Sequence, residues 1–129
     1  MRPLVLLLAL VALAAACGSS DPAHTPLAFG LGGGNMLPYR VTIQPNGVVR
    51  HSGPATLGRT HLPGATVRRL RSRIESAGLR SRNCRETLPD VGSQFIRVGT
   101  RTWTVHGACD PRFTRVWTSL ARAVGLRAG

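Results

Sequence analysis

Two stretches of the chain repeat the same order of hydrophobic patterns, and this order is the strongest constraint on the fold. In each stretch, two segments with apolar residues at every second position precede one with apolar residues three or four positions apart. The first spacing is typical of half-buried β-strands and the second of an amphipathic helix. The sequence therefore predicts two ββα units.

The first unit is predicted to begin with a β-hairpin that turns at residues 45–47, where Pro-Asn-Gly suits a three-residue loop. This register places Val49 opposite Ile43 and His51 opposite Val41. A helix that ends at the next glycine-leucine pair, residues 78–79, follows the hairpin. Its apolar stripe is predicted to consist of Val67, Leu70, Ile74 and Ala77, with Arg68, Arg69, Arg71 and Glu75 pointing away.

The second unit is predicted to contain strands at 94–98 and 101–105, joined by a type II′ turn with Gly99 in its first central position. Ile96 then lies opposite Trp103. Asp110 is a good N-cap for the helix that follows, and Gly125 ends it. The predicted fold class is α+β, with the two ββα units forming a four-stranded antiparallel sheet and two helices on one face, in a single domain over 39–129.

The N-terminus has the layout of a cleavable signal peptide over residues 1–16. Arg2 provides a positive charge, residues 4–13 are uninterruptedly apolar, and three alanines follow. The alternative is an uncleaved transmembrane anchor, but a spanning helix needs roughly 20 apolar residues.

The sequence Ala15, Ala16, Cys17 resembles the end of the lipobox of bacterial lipoproteins. The resemblance implies lipidation of Cys17, with palmitate-like acyl chains that hold the protein on the extracytoplasmic side of the cell membrane or the outer membrane. Residues 17–38, rich in Gly, Ser and Pro, would then be a flexible tether. Ala14 replaces the preferred leucine, and the A-x-A pattern leaves ordinary cleavage and release as an alternative.

The chain has three cysteines, an odd number that needs an explanation in an exported protein. Lipidation of Cys17 leaves Cys84 and Cys109, which we expect to form a disulfide in an oxidising compartment. A metal site formed by Cys84, Cys109 and His106 is the alternative, although zinc sites usually have paired short spacings from two places in the chain. We therefore predict no metal.

The 17 basic residues are all arginine and stand against five acidic residues. Such an excess attracts anionic headgroups, acidic polymers or nucleic acid. Arginine without lysine is equally typical of the codon bias of a GC-rich genome. Since an exported lipoprotein seldom meets nucleic acid, we expect no nucleic-acid partner and assign most of any attraction to the membrane surface.

No G-x-S-x-G, H-E-x-x-H or nucleotide-binding motif is present. His51 and His106 are predicted to lie at neighbouring strand ends, where they could form a pH-sensitive pair, although isolated histidines are far more often structural. We expect a protein without catalytic activity or cofactor, with a small envelope hydrolase as an alternative. A pocket that gathers His51, His61 or His106 with Asp90 would favour that alternative.

The glycine run 32–34, the hairpin 39–47 and the helix residues Leu70, Ile74 and Ala77 resemble small bacterial domains that include emfourin-type metalloprotease inhibitors. The resemblance covers about half of the mature chain and implies a protease as partner, with the polar loop 52–62 as a contact. Asn35 and Met36 depart from the family signature after the glycine run. The leading expectation is a monomeric, non-catalytic lipoprotein that presents a small interaction domain to an unidentified envelope protein.

Overall fold

The computed structural model describes residues 24–127, so the predicted signal peptide 1–16 and the lipidation site Cys17 lie outside the described residues. The two helices are α1 (Gly64–Ser76) and α2 (Pro111–Val124). The strands are β1 (Leu27–Gly32), β2 (Tyr39–Ile43), β3 (Val49–Ser52), β4 (Thr56–Leu57), β5 (Arg82–Asn83), β6 (Ser93–Val98), β7 (Arg101–His106) and β8 (Leu126–Arg127).

The main sheet has six strands in the order β3-β2-β1-β6-β7-β5. All its pairings are antiparallel except that of β5 with β7, and β4 pairs separately with β8. The predicted α+β class is confirmed, but the prediction of four strands is wrong. The sheet gains β1 in the middle and the two-residue strand β5 at one edge.

Both predicted hairpins are present in the predicted register. Ile43 lies opposite Val49 in the first hairpin, and Ile96 lies opposite Trp103 in the second. Each turn contains a glycine with positive φ, +88° at Gly47 and +57° at Gly99. A β-carbon would be strained at both positions, which is why the turn residues identify the hairpins so clearly.

Strand β1 contradicts the prediction that residues 17–38 form a flexible tether. It pairs with β2 on one side and with β6 on the other, and Leu27 and Phe29 are almost completely buried. Ala28 and Gly30 are buried as well, so the strand lacks the alternation of a half-buried strand. A strand with neighbours on both sides is hydrogen-bonded along both edges. On the face of β1 that points away from the core, alanine and glycine stand where a half-buried strand usually has polar residues.

Gly30 is required by a close approach between β1 and β2. A β-carbon at this position would lie 2.1 Å from the carbonyl oxygen of Tyr39. The glycine that made the segment look like a linker therefore permits the central pairing.

The core lies between one face of the sheet and both helices. Alternate strand residues contribute Leu27, Phe29, Val41, Ile43, Ile96 and Val105, and the helices contribute Val67, Leu70, Ile74, Phe113, Val116, Leu120 and Val124. The ring of Phe29 meets that of Trp117 edge-on at 5.8 Å between centroids. Among residues 24–127, no helix packs against the other face of the sheet.

Arg71 was predicted to point away from the core, and this is wrong. The residue is 9% exposed, and its guanidinium donates hydrogen bonds to the hydroxyl and the carbonyl oxygen of Thr25. A charged side chain can be buried in this way when its donors are satisfied. The contact attaches the segment before β1 to α1.

The predicted ends of the helices agree with the structure. The Asp110 carboxylate accepts hydrogen bonds of 3.0 Å from the backbone N–H groups of Arg112 and Phe113. Gly78 and Gly125 have φ values of +61° and +64°, the left-handed conformation that ends a helix. These local signals fix both ends of α2 and the C-terminal end of α1, whereas the N-terminus of α1 at Pro63 has no side-chain cap.

Candidate functional site

The predicted disulfide between Cys84 and Cys109 is confirmed, with 5.7 Å between the two Cα atoms. The backbone N–H of Cys84 also donates to the carbonyl oxygen of His106, at 2.9 Å. These contacts join the end of β5 to the connection between β7 and α2. The disulfide therefore holds the first turn of α2 against the edge of the sheet.

The alternative of a metal site at Cys84, Cys109 and His106 does not agree with this geometry, because the two sulfurs are bonded to each other. His106 Nδ1 lies 3.2 Å from the hydroxyl oxygen of Ser93. Across residues 24–127, no three His, Cys, Asp or Glu side chains are grouped as metal ligands would be.

The predicted pairing of His51 with His106 is wrong. His51 is on β3 and His106 on β7, and three strands lie between them. Four inter-strand spacings of about 4.8 Å separate the two positions by roughly 19 Å. The two-unit interpretation put these strand ends side by side because it did not include β1.

His61 and Asp90 lie at opposite ends of the sheet. His61 bridges to Val48 beside the first hairpin turn, whereas the carbonyl oxygen of Asp90 accepts from the N–H of Asn35 beyond the far end of β1. The residues that the sequence analysis named for a hydrolase, His51, His61, His106 and Asp90, are therefore not gathered into one pocket.

The segment 52–62 was predicted to be an unpaired polar loop, and this is also wrong. It contains β4, and both Ala55 and Leu62 are buried. The backbone N–H of Val49 donates to the carbonyl oxygen of Thr60, and that of Leu62 donates to Gly47, each at 2.8 Å. The segment is held against the domain by these bonds.

The structure places an arginine-rich groove on the outer surface of the two helices. Three hollows of about 390, 500 and 510 Å³ adjoin one another, because the first two share Arg112 and the last two share Arg73 and Arg115. We call this the arginine groove, and its basic residues are Arg73, Arg80, Arg82, Arg112, Arg115 and Arg122.

The spacing of residues along α2 explains the groove. Arg112, Arg115, Ser119 and Arg122 follow one another at intervals of three or four, which puts them on one side of the helix next to its apolar stripe. Arg73 reaches across from α1 and donates a 2.7 Å hydrogen bond to the Ser119 hydroxyl. The packing of α1 against α2 thus combines basic residues from two distant segments.

The charge of the groove is largely uncompensated. Its single carboxylate is that of Asp110, which lies 3.1 Å from the Arg82 Nε and also caps α2. Glu75 is two residues from Arg73 on α1, so it lies about 200° around the helix and faces away. Within residues 24–127, the groove arginines other than Arg82 therefore have no ion pair with a carboxylate.

The sequence analysis assigned no position or role to the arginines of the groove. The spacing on α2 was the available signal, but the positions of Arg73 and Arg80 relative to it depend on how the helices pack. Neither helix among residues 24–127 has the length and apolar character needed to cross a bilayer.

Comparison with protein families, with curated proteins and with solved structures gives no match for this chain. The class of the protein is therefore defined by its own architecture, a disulfide-linked α+β domain with an arginine groove on its helical side.

Proposed function

We propose that this protein is an exported, lipid-anchored, non-catalytic binding domain whose arginine groove holds an acidic polymer of the cell envelope. The observation that carries the proposal is the row of exposed arginines along α1 and α2, with its one carboxylate already paired. Guanidinium groups bind phosphate and carboxylate through directed, charge-assisted hydrogen bonds.

The residue types that line the groove favour a hydrophilic polymer over a folded protein. Apart from arginine, its walls consist mainly of small or hydroxyl-bearing residues such as Ser76, Thr114, Thr118 and Ser119. Protein interfaces have an apolar core with aromatic anchors, whereas the lining here contains no aromatic residue and no Leu, Ile, Val or Met. Arg112 and Arg122 are ten residues apart on α2, a rise of about 15 Å, which suits several charges in a row.

The proposed location rests on the lipobox-like sequence that ends at Cys17. Two or three acyl chains on this residue would provide the stable anchoring that a single chain does not. Intact mass of the exported protein tests this directly. We expect the mass of acyl chains on Cys17 and a loss of two hydrogens from the disulfide, and an unlipidated chain would contradict the anchor.

The groove is tested with the exported chain carrying Cys17→Ser, which removes the acceptor sulfur and allows work without detergent. The probe is fluorescently labelled poly(glycerol phosphate), and anisotropy measures its affinity. Replacing Arg112, Arg115 and Arg122 together by glutamine should weaken binding about 20-fold, because three exposed ion pairs of about 0.6 kcal/mol each, the middle of the range of about 0.2–1 kcal/mol, sum to about 1.8 kcal/mol.

The matched control removes the same charge elsewhere, with glutamine at Arg68, Arg85 and Arg127, all of them exposed. We expect this variant to bind within about threefold of the parent once salt screens long-range attraction. Equal losses of affinity in the groove variant and the control variant would show that binding depends on the net charge of the protein and not on the groove. Tighter binding of poly-glutamate than of poly(glycerol phosphate) would instead indicate an acidic protein partner.

A further inference from the structure

The side of the sheet opposite the helices carries a second basic surface. Side chains alternate across each strand, so the residues between the core positions of β1, β2, β3, β6 and β7 all face away from α1 and α2. We call this surface the open sheet face, and its central residues are Arg40, Thr42, Arg50, Phe95, Arg97 and Thr102.

The register places the three arginines in two neighbouring rows. Arg50, Thr42, Ala28, Arg97 and Thr102 are cross-strand neighbours in one row. Three inter-strand spacings separate Arg50 from Arg97, a distance of roughly 14 Å. Both side chains are exposed, so they form a broad, shallow basic surface.

In the second row, Gly30 lies between Arg40 and Phe95. Because Gly30 has no side chain, the Arg40 guanidinium extends across it and lies 5.5 Å from the centre of the Phe95 ring. This cation–π contact holds the charge of Arg40 flat on the sheet. The surface therefore presents its charges without a deep cavity.

No carboxylate opposes these charges on the open sheet face among the described residues. The acids of residues 24–127 are Glu75 in α1, Glu86 and Asp90 in the loop before β6, and Asp110 before α2. Glu86 and Asp90 belong to the end of the sheet where β6 begins, whereas Arg97 is near the end of that strand. The surface thus complements an extended anionic plane.

We propose that the open sheet face lies on the anionic phospholipid headgroups of the membrane that holds the protein, so that the arginine groove faces away from the bilayer. The orientation rests on the anchor of the proposed function. Cys17 is eight residues before Thr25, a reach of at most about 28 Å. The row of Arg50 and Arg97 crosses β1 at Ala28, close to where this segment joins the sheet.

Vesicle co-sedimentation tests the proposal, using the exported Cys17→Ser chain with vesicles of phosphatidylglycerol and phosphatidylcholine. One arginine near an anionic surface contributes about fivefold to partitioning. Glutamine at Arg40, Arg50 and Arg97 together should therefore reduce binding about a hundredfold at about 0.15 M salt, where a Debye length of about 8 Å screens charges on the far side of the domain. Pure phosphatidylcholine vesicles should bind neither protein.

Three further arms separate the open sheet face from net charge and from misfolding. Lysine at the same three positions keeps the charge and should restore vesicle binding to within about fivefold. Arg50→Gln alone leaves the contact of Arg40 with Phe95 intact and should cost about fivefold. The groove variant with glutamine at residues 112, 115 and 122 should bind vesicles nearly as the parent does.

Equal loss of vesicle binding in the open-face and groove variants would overturn the proposal. Loss of poly(glycerol phosphate) binding in the open-face variant, with vesicle binding unchanged, would assign the surface to the polymer and also overturn it. These results are independent of the mass measurement, so a failed anchor and a failed membrane contact are distinguishable.

Discussion

Replacement of Phe29 by alanine tests the most unexpected element of the fold, the central strand β1. The Phe29 side chain is completely buried, and its ring meets Trp117 of α2 at 5.8 Å. Phenylalanine-to-alanine changes in a core cost about 3–5 kcal/mol. An edge-to-face pair of aromatic rings contributes about 0.5–1.5 kcal/mol to stability beyond the burial of apolar area. We therefore expect Phe29→Ala to lower the free energy of unfolding by about 4 kcal/mol.

Urea denaturation with the disulfide intact measures this change, followed by the fluorescence of the two tryptophans and by far-UV circular dichroism. With an m-value of about 2 kcal/mol/M, the midpoint should fall by about 2 M. Leu37→Ala is the control, because that side chain is 73% exposed a few residues after β1. It should change the free energy of unfolding by less than about 0.5 kcal/mol.

A cost of less than about 1 kcal/mol for Phe29→Ala would refute the central position of β1, since such a value is typical of a residue outside the core. Residues 27–32 would then be the linker that their glycine content suggests. Loss of the ring contact alone could change the fluorescence of Trp117. Far-UV circular dichroism does not depend on that contact, so agreement between the two probes shows that both report unfolding.

Replacing Cys84 and Cys109 by serine should cost about 3.5 kcal/mol, from the chain entropy of a loop with a sequence separation of 25, and a reductant should then destabilise the parent but not the variant in thermal melts. Burial raises the pKa of Tyr39, and because this is the sole tyrosine, phenolate absorbance should show a midpoint above 10 in the folded chain; a midpoint at or below 10 would refute it. Because the pKa of Tyr39 is higher in the folded than in the unfolded chain, the protonated phenol contributes stability that is present below about pH 10 and is lost as the pH rises through the folded pKa. Tyr39→Phe should therefore make the fall of Tm in that pH range less steep. Asp110→Ala should cost about 1–2 kcal/mol through loss of the helix cap and of the Arg82 ion pair, whereas Asp110→Asn should retain most of the cap, and equal costs in chemical denaturation would contradict that assignment.

Local features of the structure could be predicted because short segments contain their full physical cause. The turn at Gly47 requires a positive φ, and Asp110 satisfies backbone donors two and three residues ahead. The disulfide followed from the odd cysteine count together with the predicted export. Each inference used neighbouring residues or a simple count, and the structure agrees with it.

The candidate site could be predicted only in part. Three arginines on one side of α2 are visible in the sequence, but Arg73 joins them from a position 46 residues before its partner Ser119. That contact depends on how the two amphipathic helices lie side by side on the sheet. The open sheet face was hidden for a similar reason, because its rows cross strands that are distant in the chain.

The sequence by itself determined the two hairpins, the two helices with the N-cap of α2 and the glycine that ends each, and the pairing of Cys84 with Cys109. Only the tertiary structure decided that residues 27–32 lie at the centre of the sheet. Their large residues Leu27, Phe29 and Leu31 alternate with alanine and glycine, and not with the polar residues that usually mark a half-buried strand. The strand depends on hydrogen bonds to β2 and to β6, whose paired residue Val98 is far along the chain from Leu27. A strand paired on both sides owes its stability to such distant partners, so a local pattern alone does not reveal it.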